Sequence, residues 1–64
     1  MLQKNARQNV EESVQNLQNT LNSLRQAATT VENQNTKAQI EQQIQSIQNT
    51  LNACQNIANT LRQQ

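Results

Sequence analysis

Few residues in this chain could carry chemistry. Cys54 is the one side chain with nucleophilic potential, and Glu11, Glu12, Glu32 and Glu41 are the only carboxylate side chains among 64 residues. A catalytic thiol needs a neighbouring base or cation to activate it, yet the chain has no His and no Lys near Cys54 in sequence. Cys54 sits instead in an apolar series, at the position Leu24 holds in an earlier series, where a free Cys acts as a small buried hydrophobe. A di-metal site in a helical bundle needs Glu-x-x-His pairs projecting inward, and none can be written here. Glu11 and Glu41 fall directly beside the apolar series, as do Arg25 and Arg62, so they are expected to solvate its flank, with Glu11 and Arg62 pairing across two helices. The absence of Gly removes phosphate-cradling loops, and the absence of Phe, Tyr and Trp removes stacking platforms. No catalytic, cofactor-binding or metal-ligating residue is therefore expected. An enzyme would require Cys54 to react rapidly with a small thiol reagent.

The elements that position these side chains are announced by periodicity. Val10, Val14, Leu17, Leu21, Leu24, Ala28 and Val31 follow one another at alternating spacings of 4 and 3, and Ile40, Ile44, Ile47, Leu51, Cys54, Ala58 and Leu61 repeat the series. Such heptad spacing makes an apolar seam on an α-helix and contains no alternation of the kind strands show. Gln and Asn supply 25 residues, a bias that by itself can mark a disordered segment, but an unbroken heptad pattern argues for helices. The two seams also resemble each other: residues 10–32 align with 40–62 at an offset of 30 with nine identities in 23 positions, consistent with duplication of one helix.

A single long helix fails on geometry. Thirty residues advance a helix by eight turns plus roughly 120°, so the second seam would point away from the first. A break between Val31 and Ala38 restores both. Asn can terminate a helix in the left-handed conformation when Gly is absent, and Thr36-Lys37-Ala38-Gln39 fits a capping box. The expected architecture is all-α: one domain, an antiparallel two-helix hairpin with helices over about 3–32 and 36–63 and a turn over about 33–35. Folding back near Gln34 pairs Ala28 with Ile40, Leu24 with Ile44, Leu21 with Ile47, Leu17 with Leu51, Val14 with Cys54 and Val10 with Ala58; a shift of one layer would also fit the pattern.

Two helices cover only one side of each seam, and domains of this size usually need a disulfide, a metal or a partner. One Cys excludes an internal disulfide. Asn is worse than Ala in a helix by about 0.6 kcal/mol per residue, so roughly nine of them cost on the order of 5 kcal/mol, comparable to a whole domain's stability. Self-association into a dimeric four-helix bundle is the simplest remedy, with the fourteen seam residues and Ile57, which widens the second stripe, as its interface. Ala6, Ser13, Thr20 and Ala27 recur every seven residues beside the first seam, where small side chains allow close helix approach. The amide-rich outer faces can both donate and accept laterally, which suits dense packing between copies.

Five basic and four acidic residues leave a formal charge of +1. The basic residues are scattered, without the stripe that displaces counterions from phosphates, so nucleic acid is not an expected partner. No apolar run suits a membrane span, and the first residues lack the apolar block of a signal peptide; a cytoplasmic location is the expectation. The segment Thr20-Leu21-Asn22-Ser23-Leu24-Arg25-Gln26-Ala27, followed by Val31-Glu32, resembles one in a family of small helical proteins of endospore-forming bacteria. Gln42-Gln43-Ile44-Gln45-Ser46-Ile47-Gln48-Asn49-Thr50-Leu51 is similar to that family's second helix. The likeness covers about half the chain; members usually have a longer connection and a tail with Pro and Tyr, which this chain lacks. It implies a spore-associated helical protein and brings no activity or catalytic residues with it. The expected function is thus a non-enzymatic, self-assembling structural protein. The competing reading is a small regulator or inhibitor that offers one helical face to another protein.

Overall fold

The computed structural model describes residues 5–63 and consists of two α-helices, α1 over Ala6–Thr30 and α2 over Gln34–Arg62, packed as an antiparallel hairpin. Among the described residues, Leu21, Ala28, Leu51 and Ala58 are buried.

Both helices begin on an Asn. At the start of α1, Asn5 Oδ1 accepts from the Gln8 backbone N–H at 2.8 Å, and Gln8 Oε1 accepts from the Asn5 N–H at 3.1 Å. This reciprocal capping box satisfies two amides that a helix start leaves orphaned. It begins the helix at Ala6 rather than near residue 3, and residues 3 and 4 of the expected helix lie outside the described residues. At the start of α2, Asn33 Oδ1 accepts from the Thr36 N–H at 3.0 Å. Thr36 is therefore inside the helix and not its cap, which corrects the capping box expected at Thr36-Lys37-Ala38-Gln39. Asn outranks Thr as an N-cap, and helix residues beginning at Gln34 follow from that preference.

The connection also differs from the expected one. It covers residues 31–33 instead of 33–35, and no described residue has a positive φ, so α1 does not end on a left-handed Asn. Val31 leaves the helix in an extended conformation (φ −73°, ψ 135°), its N–H still donating to the Ala27 carbonyl at 3.0 Å, and Asn33 is extended as well. A three-residue connection that is extended at Val31 and Asn33 can carry the chain on by up to roughly 10 Å, the rise of about seven helical residues. The first turns of α2 consequently overhang the end of α1.

That overhang moves the register by one layer. Leu21 comes level with Leu51 and not Ile47, and Val14 with Ala58 and not Cys54; each observed pair lines a common groove between the helices. The hydrogen bond from Arg25 to Gln48 and the ion pair from Arg62 to Glu11 have the same register. The expected pairing had assumed a level turn, with no rise in the connection. α2 ends at Arg62, with Gln63 as its C-cap.

Replacing the α2 cap, Asn33→Ala, is expected to cost about 1 kcal/mol of unfolding free energy, while Asn33→Asp retains most of it. Leu21→Ala, which empties the centre of the hairpin contact, is expected to cost about 3 kcal/mol. Urea titration at fixed chain concentration checks both.

Candidate functional site: a two-sided hairpin

The seam splits into two rows. The first row consists of Val14, Leu21 and Ala28 on α1 and Ile44, Leu51 and Ala58 on α2, each seven residues from the next; Val14 and Ile44 are half-buried, and the other four are the buried residues among those described. The second row consists of Val10, Leu17, Leu24 and Val31 with Ile40, Ile47, Cys54 and Leu61, and every one of these is only half-buried. The helices thus meet along the first row and leave the second at the edge of the contact.

Helical geometry says which edge. Leu24, three residues on from Leu21, lies about 60° to one side of it, and Arg25, four residues on, about 40° to the other. The positions on the Arg25 side are all charged or amide: Glu11, Gln18, Arg25 and Glu32 on α1, Glu41, Gln48, Gln55 and Arg62 on α2. These are the side chains that join across the helices. Arg62 donates from Nη2 and Nε to Glu11 Oε2 at 2.9 and 3.0 Å, the pairing expected from sequence, and Arg25 Nη2 donates to Gln48 Oε1 at 3.2 Å. In an antiparallel pair this edge of one helix meets the same edge of the other, so the half-buried rows of both helices lie together on the opposite edge.

Beyond the half-buried rows on that opposite edge come Ser13, Thr20 and Ala27 on α1 and Thr36, Gln43, Thr50 and Ile57 on α2. Ile57 is half exposed, the one large apolar side chain so open among the described residues. Hydroxyls here are already bonded within their own helices. Ser13 donates to the Asn9 carbonyl at 3.1 Å, Thr20 to Asn16 at 3.0 Å and Thr50 to Ser46 at 3.1 Å.

The groove on the polar edge is open, about 300 Å³ in volume, and includes Glu11, Val14, Ala58 and Arg62 in its lining. Its charges neutralise one another, and it presents no nucleophile. Cys54 is half-buried in the apolar row on the other edge. Among the described residues, no three His, Cys, Asp or Glu side chains gather where a metal ion could be held, and no helix is long and apolar enough to cross a membrane. The feature that sequence reasoning missed is the division of the seam into a closed row and an open one. Its signal was present in the uniformly polar run Glu11, Gln18, Arg25, Glu32 set against the apolar run Val10, Leu17, Leu24, Val31.

No family model, curated protein or solved structure matches the chain.

With Arg62 and Glu11 side chains 58% and 37% exposed, their ion pair is screened by water and contributes roughly 0–1 kcal/mol. Glu11→Gln is expected to lower stability by less than about 1 kcal/mol, with the difference vanishing in molar salt. Thermal melts at two salt concentrations check it.

Proposed function

We propose that this chain is a non-enzymatic structural protein that works by self-association, its hairpins combining into four-helix bundles. The observation that supports this reading is the half-buried row, which leaves eight seam residues incompletely covered along the whole hairpin. A core of four buried side chains is small against the conformational entropy of ordering two long helices. Covering the second row with more of the same surface repairs the shortfall. The partner of first choice is a second copy, and the compartment is the cytoplasm or, following the resemblance to proteins of endospore-forming bacteria, the spore interior.

A second reading draws on the same row. A monomeric hairpin with an open apolar edge is also what a small regulator would offer to the groove or helix of another protein. The two differ in how the chain behaves alone.

Light scattering from micromolar to millimolar chain separates them. The expected result is a mass of at least twice 7.3 kDa that holds across the upper decades of concentration. A helical species that remains at one chain at every concentration overturns self-assembly and assigns the edge to a different protein.

A further inference from the structure

We infer that the second copy docks on one particular surface, the edge formed by Val10, Leu17, Leu24, Ile47, Cys54 and Leu61 with Ile57 beside them, and not on the groove edge of Glu11, Arg25, Gln48 and Arg62. This rests on the self-association reading and adds to it where the copies touch and how they stack.

Surface area supplies the first argument. A folded monomer of this mass exposes about 4,200 Å², whereas the hairpin exposes 5035 Å². The excess, on the order of 800 Å², is what one partner contributes to a standard interface. Shape agrees with this. The molecule is a slab of 47 × 24 × 12 Å, and one broad face offers roughly 1,000 Å² in outline, enough for an interface of that size.

The chemistry of the two edges then selects the face. Every position of the half-buried row is apolar, and the row repeats every seven residues as four levels: Val31 with Ile40, Leu24 with Ile47, Leu17 with Cys54, and Val10 with Leu61. Two such faces can stack four levels on four, the layered arrangement of a four-helix bundle. The hydroxyls beside the row are already partnered. Because the Ser13, Thr20 and Thr50 hydroxyls donate to their own helices, covering them strands no donor, and the cost of an unsatisfied buried hydroxyl does not arise. Gln43 is the one amide in the two flanking rows. The groove edge is the reverse case: docking there would strip water from the charges of Glu11, Arg25 and Arg62, a cost that cross-helix pairs recover only in part.

Two measurements on the full chain test the assignment. Ile57→Glu places a carboxylate from each copy in the proposed contact, and since Ile57 is half exposed in the hairpin, the hairpin itself should tolerate it. The dissociation constant is expected to rise at least about 100-fold. Asn22→Glu, in the lining of a groove on the other edge, should leave it unchanged within about threefold. The reverse pattern overturns the assignment. Independently of any variant, the rate at which Cys54 reacts with iodoacetamide is expected to fall at least about tenfold as the mass doubles, because the partner covers the row. A rate that stays constant while the mass doubles places the contact elsewhere and overturns the assigned face, leaving self-association standing. A mass that never doubles overturns self-association itself.

Discussion

The burial of Leu21 and Leu51, which line one groove between the helices, together with Ala28 and Ala58, is the constraint on which the hairpin depends. It is a single row wide. A helix in a globular domain normally buries an apolar stripe at least about 100° across, which takes in two adjacent rows of a heptad. One neighbouring helix can close only the row it faces. The extended passage through Val31 and Asn33 sets which residues meet along that row, and the polar residues that flank it decide which neighbouring row is left at the edge. The unequal edges, the large surface area and the half exposure of Ile57 all follow from a stripe wider than a two-helix contact.

The amide-rich composition becomes intelligible beside this constraint. Asn is a weak choice for helix interiors because its side chain competes for backbone groups, whereas Gln is a good helix former. Here much of that competition is redirected. Asn5 and Asn33 sit at helix starts, where bonding to the backbone stabilises the helix. On α2 the amides bond along the surface, Gln45 to Asn49 at 3.4 Å and Gln48 to Asn52 at 3.3 Å, pairs that support a helix by a few tenths of a kcal/mol at about this spacing.

Much of this was legible in the residues. The spacing of Val10 through Val31 and of Ile40 through Leu61 identified two helices and a hairpin, and the phase mismatch of thirty residues located the break to within a few positions. Two features were not read correctly. Thr36-Lys37-Ala38-Gln39 reads as a capping box, but Asn33, a stronger cap, stands three residues before Thr36. Folding back level at Gln34 leaves out the climb of the connection, which is extended at Val31 and Asn33. Burial was harder still to read. Leu24 and Leu21 are the same residue type in the same stripe, yet one is half-buried and the other is 2% exposed. Only the three-dimensional placement of the second helix distinguishes them.

The internal repeat, however, contained the register in a form that composition and turn chemistry did not. If α2 repeats α1 at an offset of 30 and the two pack antiparallel, an approximate two-fold axis relates them, and residues on that axis must meet their own equivalents. Leu21 and Leu51 are such a pair, and they are the residues found level with each other. The next layers then become equivalent by the same operation: Val14 with Ala58 on one side, Ile44 with Ala28 on the other, each a β-branched residue against an alanine. The rejected pairing would have put the axis at Asn19 and Asn49, two amides outside the seam. Departures from the symmetry fall on both edges: Leu24 is matched by Cys54, Ser13 by Gln43 and Ala27 by Ile57 on the open edge, and Arg25 by Gln55 and Glu32 by Arg62 on the polar one. The closed row can be built from one helix used twice, since each half only has to complement itself. Away from the axis each side chain faces a residue other than its own equivalent, so the edges can differ between the two halves without disturbing the closed row.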